Sequence, residues 1–217
     1  LSFLNKPTNP ALPLPTPDYS RQYLDAHNNV LRLFFNQIQN VFDKVLGRNG
    51  GQFIDCPNGL FFNTQDQAFT ADDTAMPVEF DQTYLSNAVQ LRGTSASEIE
   101  VLVSGVYNFQ YTGQLLSSSA NPKSVALWIT RNGTDISYST RITTIADNGH
   151  YVEITWNFNI DLAAGEYVEL ETSVSNDYAA IKFAAPPATT PYPTGASSVL
   201  TVNFIAPLPE PRPPLPP

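Results

Sequence analysis

Two histidines, one cysteine and a scatter of carboxylates are the groups in this chain that could carry chemistry. His27 stands beside Asn28 and Asn29, and His150 sits in the turn-forming run Asn148–Tyr151. A serine or cysteine nucleophile needs a base in hydrogen-bond reach and a supporting elbow such as G-x-S-x-G, and neither histidine has one nearby. The two imidazoles also lack metal-ligand spacing. Asp72-Asp73 falls in the short turn FTADDTAM, Glu98 and Glu100 share one strand face, and Glu166, Glu169 and Glu171 follow a turn. Glycan cleavage would need two acids ~5–10 Å apart, and each of these sets reads as a solvated turn or sheet edge. Calcium at Asp72, Asp73 or Asp81 would lack the D-x-D-x-D-G loop.

The remaining reactive groups read as structural. Cys56, in IDCPNG, has no neighbour that would lower its pKa, and a single cysteine excludes an intramolecular disulfide and any cysteine-based metal site. Asn132-Gly133-Thr134 meets the glycosylation rule, yet Asn-Gly is also the strongest two-residue hairpin signal, and the hairpin reading is preferred. Tyr138, Tyr151, Tyr178 and Tyr192, in or near turns and edges, offer rings suited to stacking on a sugar. No catalytic residue, cofactor or metal is expected.

The totals bound the class. In 217 residues, 42% are apolar but only 14% charged, so the surface is dominated by Ser, Thr, Asn and Gln and suits contact with sugars or protein. A net charge of −9 repels phosphate backbones and argues against nucleic acid and anionic membranes as partners. No apolar run is long enough for a membrane helix and no charged-then-apolar leader opens the chain, which reads as soluble with no membrane insertion. It begins at Leu1 without Met, so a removed leader stays open.

These residues must be positioned by elements of quite different character. Residues 1–17 carry five prolines and residues 207–217 carry seven. Proline lacks the donor N–H and restricts its predecessor, so both ends are read as extended, the first as an attachment arm and the second as a tail. Residues 18–48 follow helical spacing, with Asp18 as N-cap, Gly47 as C-cap and a stripe that includes Val30, Leu31, Phe34, Phe35, Ile38, Val41 and Phe42. Such a stripe must be buried, and bundling with copies of the same helix is the preferred way. Residues 49–206 turn to β character, with ten strands separated by turns such as Asn132-Gly133, Asn148-Gly149 and Ala164-Gly165, which means a sandwich or barrel.

Two of those strands raise a question of their own. YNFQY (Tyr107–Tyr111) and WNFNI (Trp156–Ile160) alternate large apolar residues with amides, never with charges. Alternation buries one face. An amide face, unlike a charged one, can be covered by protein if it is hydrogen-bonded.

GVYNFQYTGQL, SVALWITRNGT, ITWNFNIDLAAGEYVEL and SSVLTVNFI resemble successive strands of the trimeric jelly roll shared by tumour necrosis factor and the globular heads of complement component one, subunit q. The likeness covers about residues 59–206, carried chiefly by Gly105-Val-Tyr-x-Phe, Leu127–Gly133 and Leu162–Leu170. There is no Gly-X-Y stalk and no transmembrane stem. The opening FLNKPTNPALPLPTPDYSRQYLDAHNNVLRLFFNQI instead resembles the start of small virion proteins of tailed bacteriophages. The resemblance implies a mainly β, ten-stranded jelly-roll sandwich preceded by one amphipathic helix and a proline-rich arm. It implies a homotrimer whose strand faces meet neighbouring copies, with Asn108, Phe109, Gln110, Tyr111, Trp156, Phe158 and Phe204 of the head, and Phe34 and Ile38 of the helix, at the interface.

The function expected is that of a non-enzymatic phage tail fibre, spike or capsid knob on the particle surface. Phe3, Leu4, Leu12 and Leu14 would dock onto other virion proteins, and the head would face outward toward a host-surface glycan or protein. Two further classes stay open: a glycan-degrading spike enzyme, and a secreted carbohydrate- or receptor-binding module.

Overall fold

The computed structural model describes residues 7, 10–14, 18, 20–46, 56–175, 179–184, 191 and 193–208. The chain divides into two compact units between Asp55 and Cys56. In the first, α1 spans Arg21–Leu46, about 39 Å long at 1.5 Å per residue. Its cap is Ser20, not Asp18: Ser20 Oγ accepts the Tyr23 amide at 3.2 Å, and the Ser20 carbonyl accepts Leu24 N–H at 3.1 Å. The hydroxyl stands directly at the first turn, where it satisfies an amide with no partner inside the helix. Gly47, the expected C-cap, lies outside the described residues, as do Phe3 and Leu4 and the tail beyond Leu208.

The second unit is two antiparallel sheets, with fourteen strands among the described residues where ten are expected from sequence. The strands are β1 (Asn58–Asn63), β2 (Gln67–Ala68), β3 (Met76–Pro77), β4 (Gln82–Asn87), β5 (Val89–Leu91), β6 (Ile99–Val101) and β7 (Gly105–Ser117). They continue with β8 (Lys123–Arg131), β9 (Thr134–Asp135), β10 (Arg141–Ile145), β11 (Tyr151–Leu162), β12 (Tyr167–Val174), β13 (Ala179–Ile181) and β14 (Ser198–Ala206). One sheet runs β2-β13-β7-β14-β1-β4 with β11 on the far side of β7; the other runs β10-β8-β12-β6-β5, with β3 joined to β12 and β9 to β8. The additional strands are short or lie at an edge. β4 is exposed along nearly its whole length, so it shows no alternation for a reader of sequence to find.

Both faces of the sandwich follow from period-two alternation. Along β7 every second residue from Gly105 to Ser117 is buried. Phe61, Tyr107, Phe109, Tyr111, Trp156 and Leu200 from one sheet meet Ile99, Leu127, Ile129, Val168 and Leu170 from the other in one core. Each fully buried side chain of that size stabilises the fold by ~1.5–3 kcal/mol. Gly105 shows why small size matters at the strand's start. A Cβ there would lie 2.2 Å from the Phe204 ring, which packs edge-on against Tyr107 at 5.6 Å.

The turns use backbone that few residues adopt. Asn132 and Gly133 both have positive φ, 49° and 75°, as a tight primed hairpin turn requires, and they join β8 to β9. Asn132 is also tied down by its side chain, accepting Tyr167 N–H at 3.0 Å and donating to Glu166 Oε1 at 3.2 Å.

Candidate functional site

β7 and β11 pair without a break over twelve residues, from Gly105↔Leu162 to Leu116↔Tyr151. Directly opposed residues share a face, so Asn108, Gln110, Thr112 and Gln114 line up with Asn159, Asn157, Thr155 and Glu153 on the outer side. Thr201 and Asn203 of β14 continue the same rows. Asn108 Nδ2 donates to Asn157 Oδ1 and Asn159 Oδ1, both at 2.6 Å, and Gln110 Nε2 donates to Asn108 Oδ1 at 2.7 Å. Four amides thus satisfy part of one another's hydrogen bonding, with the charge of Glu153 toward one end of the face. Leu60 and Phe62 of β1, half-buried, border it on the side away from β11.

Of the residues expected at a subunit interface, only Asn108 and Gln110 of the head lie on this outer face. Phe109, Tyr111 and Trp156 are 0%, 2% and 4% exposed within a single chain, which leaves them no surface for a neighbour. Phe158 and Phe204 project to the same inward side, where Phe158 stacks on Trp156 at 5.0 Å and both pack against the core. The correction has one physical cause: alternation separates two faces but does not say which is the sandwich's interior, and bulk apolar area decides it. In the first unit, Phe34 and Ile38 are half-buried. Phe34 lines a recess with Val30, Leu33, Gln37 and Pro10 of the arm. Leu12 and Leu14 are 49% and 87% exposed.

The groups with chemical potential are dispersed. His150 is exposed, while His27 is half-buried with its ring 5.9 Å from that of Tyr23 and no hydrogen bond to Nδ1 among the described residues. Cys56 is exposed rather than packed, and its carbonyl accepts Asn58 Nδ2 and Asn87 Nδ2. Asp72 and Asp73 are exposed. Asp81 accepts the Thr64 amide at 2.9 Å. Glu98 pairs with Arg92 at 3.2 Å, and Glu100 accepts Gln90 Nε2 at 2.9 Å. Tyr138 and Tyr151 are 90% and 56% exposed, and Tyr178 and Tyr192 lie outside the described residues. Among the described residues no three acids, histidines or cysteines converge closely enough to hold a metal ion, and no helix is long and apolar enough to cross a membrane.

Two sets of charges are less exposed than their types suggest. Arg131, 6% exposed, pairs with Asp161 Oδ1 at 2.9 Å and also donates to the Asp161 carbonyl, while its Nε and Nη1 find no partner among the described residues. Glu169 and Glu171 are not a solvated edge. They sit on β12 in the middle of the second sheet, half-buried, opposite Thr130 and Trp128 of β8. Burial, then the nearby Glu169 and Asp135 carboxylates, hold the Glu171 carboxyl above its ordinary value.

No protein-family model matches the chain, and no curated protein matches it in sequence. Solved structures do. The tumour necrosis factor Eiger from S. frugiperda is similar with a TM-score of 0.51 and 14% identity, over 75% of this chain and 100% of that one. The globular domain of zebrafish complement 1qA protein is similar over 69% of this chain and 97% of that one, at 14% identity and a TM-score of 0.40. At such identity the likeness to the insect protein is one of fold: the head is a tumour-necrosis-factor-like jelly roll of two antiparallel sheets.

Proposed function

We propose that the protein is a non-enzymatic homotrimeric structural component of a bacteriophage particle, a fibre, spike or capsid knob that presents its jelly-roll head to the host surface. The observation that carries this reading is the outer amide face of β7, β11 and β14. A surface of linked amides with apolar neighbours and no charge at its centre suits contact with sister copies, because carboxylates there would repel their three-fold mates. The helix adds a second contact of the same kind. Leu24, Leu31, Phe35, Ile38 and Phe42 follow three-four spacing on one side, with Phe35 and Phe42 60% and 56% exposed. The arm's Pro10 lines one recess with Val30, Leu33 and Phe34, which favours a seam on the side of Phe35 rather than Phe34.

The phage assignment is supported by the order of parts, a proline-rich arm and an aromatic-rich helix ahead of a compact head, and by the likeness of that opening stretch to small virion proteins. The arm would hold the particle through its exposed Leu12 and Leu14, with Phe3 and Leu4 assigned to the same contact. Three heads on one axis engage a repetitive cell surface together, so weak single contacts add up to useful binding.

Sedimentation equilibrium of the full chain tests the assembly: a mass three times the 23.8 kDa chain is expected at micromolar concentration. Phe35→Glu with Phe42→Glu should lower it, whereas Leu33→Glu, on the arm side, should not. A single-chain mass for the unaltered protein ends the trimer reading. Mass spectrometry of purified particles tests the location, and absence of the chain from them ends the virion reading.

A further inference from the structure

The outer face of the second sheet gathers three carboxylates, a tryptophan and a buried hydroxyl. Asp135 of β9, Thr130 of β8 and Glu169 of β12 are opposed in one cross-strand row. Trp128, Glu171 and Pro77 of β3 form the next. All six side chains therefore project to the same side. Trp128 Nε1 donates to Asp135 Oδ1 at 2.8 Å and Ser97 Oγ donates to Glu169 Oε1 at 2.8 Å. The Glu171 side chain, half-buried, makes no hydrogen bond and no ion pair among the described residues. The Arg92–Glu98 pair lies at the edge of this face, with the Arg92 guanidinium 4.5 Å above the ring of Tyr167, two residues before Glu169 on β12, and it does not engage Glu171.

A second, independent observation lies in the same row. Thr130 is only 4% exposed and its hydroxyl has no partner among the described residues. A buried hydroxyl without a hydrogen bond is destabilising, and this one projects between Asp135 and Glu169. Carboxylates in like-charge company, an unsatisfied hydroxyl and an indole face together describe a place for a cation that also has an apolar side. The acids do not converge as metal ligands do. An organic ammonium fits better, since it can sit against an indole and donate to several separated carboxylates.

We propose that Trp128, Glu171, Glu169 and Asp135 form a binding site for a hexosamine residue bearing a free amine, with the pyranose against Trp128 and the ammonium among the acids. A lysine side chain would use the acids but leave the ring face idle, whereas the sugar uses both. The site deepens the surface-binding reading above and rests on it for its biological setting, though each head carries it whole.

Titration of the full-length protein with a fully de-N-acetylated glucosamine tetramer, read by tryptophan emission, tests the assignment. Trp156 is 4% exposed in the core, so a ligand-dependent change belongs to Trp128 and should vanish in Trp128→Phe. The N-acetylated tetramer should bind far more weakly, and Glu171→Gln should weaken the amine-bearing tetramer about tenfold while keeping native mass and circular dichroism. Equal binding of the acetylated tetramer, or full binding by Glu171→Gln, overturns the proposal. Tetralysine binding as tightly and through the same residues also overturns it, in favour of a protein ligand. A trimer that ignores the sugar removes this site and leaves the assembly standing; a single chain that binds it does the reverse.

Discussion

Asn108 of β7 and Asn159 of β11 face each other in register, and the amide nitrogen of the first donates to the side-chain oxygen of the second at 2.6 Å. That bond needs two neutral partners with complementary ends. Asn108→Asp removes the donor and places a carboxylate against the oxygens of Asn157 and Asn159. In the proposed trimer it also brings three like charges toward one another, and the subunit affinity should fall by at least about tenfold, which is only ~1.4 kcal/mol. Sedimentation velocity across a dilution series checks this. A trimer as tight as before would show that this face meets water.

The Arg131–Asp161 pair should respond unequally to its two possible truncations. Asp161→Asn leaves a guanidinium 6% exposed without its counter-charge, and a buried charge stripped of its partner typically costs ~3–5 kcal/mol. Arg131→Met removes the charge with most of the volume retained and should cost less. Urea denaturation of both variants measures the difference, and an equal loss would mean that the arginine's charge is satisfied elsewhere.

Tyr111 predicts the alkaline limit of the head. Its hydroxyl is buried next to Ser198 without a well-formed hydrogen bond, and burial drives its ionisation well above the ordinary tyrosine range, with Tyr107 shifted the same way. Above pH ~10 the unfolded chain loses these protons and the folded chain keeps them, so stability should fall as pH rises past that point. Tyr111→Phe should soften the fall and cost little at pH 7, because no good hydrogen bond is lost. Thermal melts from pH 7 to 11 decide it; a variant as alkali-sensitive as the parent would move the cause away from Tyr111.

Glu171 works in the acid direction. Its folded-state carboxyl is held above the ordinary value, so the interaction favouring the protonated form is fully present below pH ~4.5 and is lost as pH rises. Glu171→Gln should therefore raise the melting temperature at pH 7, and the gain should shrink toward zero as the buffer approaches pH 4. A gain independent of pH would point to packing rather than charge.

Much of the head was legible because alternation is a local signal. Tyr151–Leu162 and Tyr167–Val174, which hold the alternation of ITWNFNIDL and YVELETSV, are strands. The helix was legible for the same reason, through 3.6-residue spacing, though its cap lay at Ser20 rather than Asp18. β4 was missed because nearly every side chain of QTYLSN is exposed, and β9 and β13 are too short to carry a period. The site divides along the same line. The uncharged amides of β7 and β11 can be read residue by residue, whereas the side on which Phe109, Tyr111 and Trp156 fall depends on what lies above the sheet. Glu171 gains its meaning only from cross-strand neighbours at Trp128 and Pro77, distant in sequence and set by register.

One consequence of the sheet order concerns synthesis. β14, the last strand of the head, lies between β7 and β1. Until it is made, both of those strands keep an open hydrogen-bonding edge on the same gap, and Phe61 and Phe109 lack the Leu200 and Val202 side chains that share their core. A nascent chain therefore carries a sticky vacancy at its centre throughout translation, and maturation must wait for a final insertion step that closes it. Stalled or truncated translation products should be the species that chaperones and proteases collect.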